Sequence, residues 1–419
     1  MALVATFLSG AKSRLLPASI PFRFFGAAAI FHLLMWTALV AAAQQATGFR
    51  GGPGPALASV HLLTLGVLTT TAIGASVQLL PVATRRALAA HWPIRLVFWL
   101  LIPGIATLCT GMYTVRSYIM IAGAGLTVLG LIIYAVLLAD NLRRARSMPV
   151  VAAYGWAALA ALLLLAAAGL ALAIDFQVGA LPDHRAVVLA HMILGGFGFM
   201  GMLALGFSHV LVPMFALAEA PAKRPAVVGF ALAAGAVAVG AFGALADSTA
   251  VLAFAALIGL GAAGVHLSLM RRALTKGMRK HLGLSFVLIR AAWLLLPITL
   301  LVGLAALFGR AGANGPTLFG FMLLSWLLTF LLGILQRIVP FLASMHVSRA
   351  DGGAPPPLSR LAASAPLKAH AVCHGIALAV VTTAIAGGYP ELFRLGAGIG
   401  LVGAAAFAWF CADVMRRLV

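Results

Sequence analysis

His61-Leu-Leu-Thr-Leu-Gly66-Val-Leu-Thr-Thr-Thr-Ala-Ile-Gly74-Ala-Ser-Val-Gln78-Leu-Leu-Pro81 is an apolar stretch long enough to cross a bilayer, with a histidine at one end and a Gly-x-x-x-Gln-x-x-Pro signature at the other. The signature returns twice. Gly206-Phe-Ser-His209-Val-Leu-Val-Pro213 ends alike, and His191 and Gly196 precede it much as His61 and Gly66 precede the first copy. Gly333-Ile-Leu-Gln336-Arg-Ile-Val-Pro340 is a third copy without an upstream histidine. Copies begin about 130 residues apart, the mark of an internal repeat.

Composition fits one class. With 63 % hydrophobic and 9 % charged residues, the chain lacks the ionic cover that a soluble surface needs. Apolar spans of about 20 residues fall at 21–43, 58–82, 94–112, 117–139, 151–174, 186–217, 225–246, 249–270, 282–308, 315–343, 367–388 and 392–415. The expected fold is all-α integral membrane, with twelve transmembrane helices in three four-helix modules, 1–148, 149–280 and 281–419, forming one membrane domain. Each signature lies in the second helix of its module. Residues 1–16 carry Lys12 and Arg14 but no small-x-small cleavage pattern, so no signal peptide is expected.

A net charge of +20 raises the question of nucleic acid, but its placement answers otherwise. Apart from Arg50, Arg116, Arg185, Arg310 and Arg394 on the opposite side and Arg290 inside a span, the basic residues fall at the N-terminus, beside the even-to-odd loops, or at the C-terminus. That is the positive-inside pattern, and it predicts both termini on the cytoplasmic side of a bacterial inner membrane. The basic loops suit anionic membrane lipid. No aromatic-basic interleaving supports a nucleic-acid partner. Cys109, Cys373 and Cys411 lie within spans without paired spacing, which predicts neither a disulfide framework nor a zinc motif.

All eight carboxylates, Asp140, Asp175, Asp183, Glu219, Asp247, Asp351, Glu391 and Asp413, fall at helix ends or in loops. A proton-coupled pump normally needs a titrating carboxylate near the midplane, so that class is disfavoured, although histidine also carries protons. Residues 344–366, with Gly352-Gly353 and Pro355-Pro356-Pro357, read as a cytoplasmic linker. Arg290, about two turns inside the ninth span, is expected to pair or to snorkel.

Histidine is what the membrane does contain. His32, His61, His191, His209, His266, His370 and His374 lie in or at the ends of spans. Neutral imidazole is the commonest metal and haem-iron ligand, while a structural intramembrane histidine bonds one helix to another. His61 and His191 stand apart because they occupy matching places in two copies, at the same outer depth. Gly195 and Gly198 beside His191 make a notch for a flat macrocycle or for plain helix packing. Eighteen residues at 100° each complete five turns, so His191, Gly195, Gly198, Met202 and His209 fall close to one stripe, with the two histidines about 27 Å apart along the axis, too far to share an ion. His370 and His374, at i and i+4, suit one metal ion or, at the cytoplasmic edge, snorkelling. His209, at the inner boundary, is a further metal candidate. Gln78, His209 and Gln336 each precede a proline, and their side chains are expected to satisfy the carbonyl it frees; the alternative is a hydrophilic pathway from the cytoplasmic side.

Pro21-Phe22-Arg23-Phe24-Phe25 at the head of the first span, with His61-x-x-x-Leu-Gly66 and His191-x-x-x-Gly-Gly196, resembles the NnrS family of twelve-span haem- and copper-containing membrane proteins linked to nitric oxide metabolism. More broadly, three four-helix modules with histidines in the second and sixth helices resemble the catalytic subunit of haem-copper oxidases and nitric oxide reductases. The resemblance implies modules set around a pseudo-threefold axis, haem b and copper as cofactors, and a small gaseous ligand or a redox partner or respiratory complex. Carried over by position, His61 matches the haem-ligating histidine of the second helix and His191 a metal-site histidine of the sixth; His32 is a third cofactor-binding candidate. Two departures matter. The tenth span has no histidine, Leu318 or Phe319 standing in its place, and 225–246 lacks the consecutive histidine pair that helps hold copper. The expected function is therefore electron, nitric oxide or oxygen handling rather than proton-pumping respiration. From other classes, a permease for copper, haem or a small solute without redox chemistry, and an assembly factor for a respiratory complex, stay open; parallel repeats favour the oxidase-like reading.

Overall fold

The computed structural model describes residues 16–84, 91–145, 148–351 and 363–417, the side chains of 80–84 and 348–351 excepted. Twelve helices are long and apolar enough to cross a membrane: α1 (Ser19–Ala41), α2 (Pro55–Leu79), α3 (Trp92–Tyr113), α4 (Ser117–Arg143), α5 (Pro149–Val178), α6 (His184–Ala216), α7 (Lys223–Leu245), α8 (Thr249–Lys276), α9 (Leu284–Leu307), α10 (Gly315–Val347), α11 (Ser364–Gly387) and α12 (Pro390–Arg416). No strand occurs among the described residues. The chain is an all-α, multi-span membrane protein. Several helices outrun their apolar windows. In α8 the charged turn with Arg271, Arg272 and Lys276 continues the helix beyond the expected end at 270, because a helix does not stop where hydropathy falls.

Local chemistry sets the helix ends. Asp183 accepts a bond from Ala186 N (3.0 Å) at the start of α6, and Ser248 from Val251 N (3.4 Å) at the start of α8, both N-cap arrangements. Pro149 and Pro390 open α5 and α12, where a missing N–H costs nothing. Gly179 ends α5 in the left-handed region (φ 61°), its N–H returning to Asp175 O at 2.8 Å.

Burial separates three central helices from nine peripheral ones. The most apolar windows of α2, α6 and α10 are 72 %, 61 % and 67 % buried, whereas no other span exceeds 44 %. These three touch one another, and the remaining helices pack around them in chain order, with α12 closing against α1. The three are the signature helices. At each signature glycine a side chain from the preceding helix fills the space of the missing Cβ: Phe24 Cβ stands 2.7 Å from the Cβ position of Gly74, Tyr154 Cβ 2.7 Å from that of Gly206, and Ile289 Cγ1 2.9 Å from that of Gly333. Phe24, Tyr154 and Ile289 are each the sixth residue of their helix. One docking contact is thus used three times.

Polar side chains of the bundle follow the expected economy. Arg290 is exposed on the surface of α9, while Arg337 is partly buried and donates to Ser285 Oγ (2.8 Å) and the Leu282 carbonyl. Asp140, Asp413 and Glu391 pair with Arg144, Arg417 and Arg394 at helix ends. Lys12, Arg14, Arg85, Arg86, Arg146 and residues 352–362 lie outside the described residues, as do the side chains of Pro81, Arg349 and Asp351; the linker expected at 344–366 is shorter than that, because 344–351 continue the helix that begins at Gly315 and 364–366 open α11.

Candidate functional site

His61 and His191 meet. Their rings lie 6.4 Å apart between centroids and are nearly parallel, 28° between planes. With metal–nitrogen bonds of about 2 Å, two imidazoles on opposite sides of one ion have centroids roughly 6 Å apart, so the separation is of ligand scale. His61 Nδ1 lies 3.0 Å from Leu57 O, one turn back. A carbonyl only accepts, so Nδ1 carries the proton and Nε2 keeps its lone pair. His191 leans on α5, where its Cε1 is 3.0 Å from the Cβ position of Gly169; any larger residue there would displace the ring. Its Nδ1 is buried beside the Leu165 carbonyl without the geometry of a full hydrogen bond.

The backbone changes form at this level. In α2 the turns from Leu62 to Thr69 are π-helical, starting one residue after His61, and in α6 those from Leu194 to Gly201 are π-helical, starting three after His191. Hydroxyls report the same widening: Thr69 Oγ1 and Thr70 Oγ1 donate to carbonyls five residues back, Thr64 O (2.8 Å) and Leu65 O (2.9 Å). In α10, Ser325 and Thr329 donate four residues back, to Phe321 O and Ser325 O at 2.7 Å each. Runs of π-helix are rare and concentrate at functional sites.

The π segment also corrects the stripe expected for α6. An i→i+5 pattern puts more residues in each turn, so the helix phase slips between His191 and His209. His191 faces His61, whereas His209 faces Tyr154 of α5 (5.4 Å) and His266 of α8 (5.8 Å). The glycine notch closes as well. Ala161 Cβ lies 2.8 Å from the Cβ position of Gly198, and Leu165 Cδ1 3.3 Å from that of Gly195, so both glycines serve packing against α5.

His32 is not beside His61 and His191. It sits with His370 and His374 among α1, α11 and α12, at 6.3 Å from the His370 ring, which in turn stacks on His374 at 5.7 Å. All three are at most 2 % exposed, so His370 and His374 face the interior and do not snorkel. Trp36 Nε1 donates to His32 Nε2 (3.1 Å), which puts the His32 proton on Nδ1. His370 Nδ1 bonds Gly403 O (3.1 Å), leaving a buried Nε2 lone pair. Thr329 gives its one proton to Ser325 O, so it accepts from His374 Nε2 (2.9 Å). A ring N–H anchored on a carbonyl or hydroxyl is the usual outer support of a metal ligand. Among the described residues, no three His, Cys, Asp or Glu side chains converge as a metal-holding group.

The signature polar residues do not repair their prolines. Gln78 Oε1 accepts from Leu16 N (3.2 Å), tying down the entry to α1, and His209 Nδ1 bonds Leu205 O (2.8 Å) rather than the carbonyl freed by Pro213. Both polar atoms of the Gln336 side chain are buried without a partner, each at a cost of about 1–3 kcal/mol. Sequence reasoning missed Gly169, Thr329 and Trp293, whose importance lies in which helix they face, and it missed the π turns, which no residue type announces.

No known family model and no curated protein matches this chain.

Proposed function

We propose that this is a bacterial inner-membrane haem b protein, related to the haem-copper oxidases and nearest in pattern to the NnrS family. It handles electrons, nitric oxide or oxygen and does not pump protons. In this reading three four-helix modules surround a pseudo-threefold axis, and both termini are cytoplasmic. The mutual contact of α2, α6 and α10 and the thrice-used glycine seat support that arrangement.

One observation carries the reading. Histidines from two repeats, far apart in sequence, come within ligand-scale distance at the heads of two π segments, on two of the three most buried helices of the bundle. The donor set fits haem iron, because Leu57 O holds His61 in the tautomer whose Nε2 lone pair is free. Haem held there by both rings would supply one-electron chemistry, and a diatomic gas would bind the iron only by displacing one of the two histidines. The protein's part is to hold the two rings and to fix the tautomer of His61 through its backbone bond. Copper, where present, belongs with His370 and His374, whose outer nitrogens are already anchored on Gly403 O and Thr329 Oγ1.

A reduced-minus-oxidised visible spectrum of the detergent-purified protein tests the reading. A b-type spectrum is expected, lost in His61→Ala and in His191→Ala and followed by shifts on addition of nitric oxide. A colourless protein from haem-replete cells overturns it.

A further inference from the structure

A second group of buried polar atoms lies apart from the paired histidines. His209 of α6, His266 of α8 and Trp293 of α9 are 7 %, 3 % and 7 % exposed, with ring centroids 5.8 Å apart between the histidines and 6.3 Å between His266 and Trp293. Four of their atoms, His209 Nε2, both nitrogens of His266 and Trp293 Nε1, are buried without a hydrogen-bond partner in the described structure. Buried polar atoms are nearly always partnered, by protein or by ordered water. Four exceptions in one place point to a guest.

Donor and acceptor arithmetic identifies its chemistry. His209 Nδ1 bonds Leu205 O, so the unpartnered Nε2 is an acceptor. Trp293 Nε1 is only ever a donor, and neutral His266 offers one of each. The group therefore presents two N–H donors and two lone pairs. A metal ion would take the two lone pairs and leave two N–H groups, on Trp293 and His266, facing no acceptor. Water both gives and takes, and it satisfies all four.

We propose that His209, His266 and Trp293 hold a buried water string, running Trp293 N–H to water, water to His266, His266 N–H to water, and water to His209 Nε2. The string stands near one end of the bundle. His209, His266 and Trp293 are seven, ten and nine residues from Ala216, Lys276 and Leu284, about 10–15 Å along the helices. Arg279 N bonds Ala216 O (3.1 Å) and Met278 N bonds Leu217 O (3.4 Å), which fixes the ends of α6 and α8 at a common level. The string thus faces the basic end marked by Arg271, Arg272 and Lys276.

Hydroxyl-radical footprinting of the purified full-length protein tests this, since radicals formed from bound water label side chains that bulk solvent does not reach. Trp36, 2 % exposed and already bonded to His32, is the internal control. Trp293 is expected to label several-fold faster than Trp36, and His266→Phe to remove that excess. His209→Gln, which keeps an acceptor, is expected to retain it and guards against a folding artefact in the first variant. Labelling of Trp293 at the Trp36 rate overturns the proposal. So does a stoichiometric metal found by mass spectrometry and lost in His266→Phe.

Discussion

The helices α2 and α6 differ from α10 in the form of their backbone. All three carry the glycine seat and the polar-then-proline ending, and all three are central. Just inside their histidines α2 and α6 widen into π turns; α10 stays α-helical, and Phe319, at the place corresponding to His61, packs on Phe197 (6.5 Å) and Gly303. Trp326 adds a second ring against Phe197 at 5.8 Å. Two copies of a repeat have therefore been given polar side chains and a loosened backbone, while the third has been filled with aromatic surface. Packing and chemistry are divided among equivalent helices.

Removing one residue from the π segment breaks this contrast most sharply. Deleting Leu65 is expected to restore α geometry locally, leave a monodisperse membrane protein and abolish the b-type spectrum. Deleting Leu324 from α10 rotates an uninterrupted α-helix by about 100° and is expected to give aggregated protein in size-exclusion chromatography. If the two deletions behave alike, the π turns are incidental. The glycine seats come next. Leucine at Gly74, Gly206 or Gly333 overpacks its partner and should lower stability by about 1–3 kcal/mol, read as a thermal-melt shift in detergent, with haem content falling for the first two only.

A smaller effect is expected from Phe319→His, which buries a polar ring without a prepared partner and costs about 1–3 kcal/mol. Haem stoichiometry should stay unchanged, because α10 lacks the widened turn. A second haem in that variant would show that the histidine alone suffices. The smallest change is expected for Arg290→Gln, within about 0.5 kcal/mol, since the residue is exposed. A loss of haem there would place the guanidinium in the site after all.

What the sequence made legible follows from what one dimension can encode. Span number and depth are sums along the chain, so the twelve helices and the common level of His61 and His191 could be read in advance. Rotation about a helix axis is not such a sum once a π turn intervenes, and His209 accordingly faces His266 and not the stripe drawn from His191. His32 shows the same limit. Its depth in α1 was plain, but nothing in the sequence says that α12 closes against α1 and brings α11, with His370 and His374, to its side. Trp293 and Thr329 carry no local pattern at all; only the cross-helix geometry gives them a role.

The sixth-residue seat has a consequence for how the chain is made. Each seat joins a helix to the one synthesised immediately after it, so a hairpin can close as soon as its second helix enters the bilayer, without waiting for later spans. Insertion can then proceed as three similar events, with the His61–His191 meeting left to the docking of finished hairpins. Newly made protein would pass through a stage that is inserted and locally closed but in which His61 has not yet met His191, and the end of that stage would be set by the synthesis of α6.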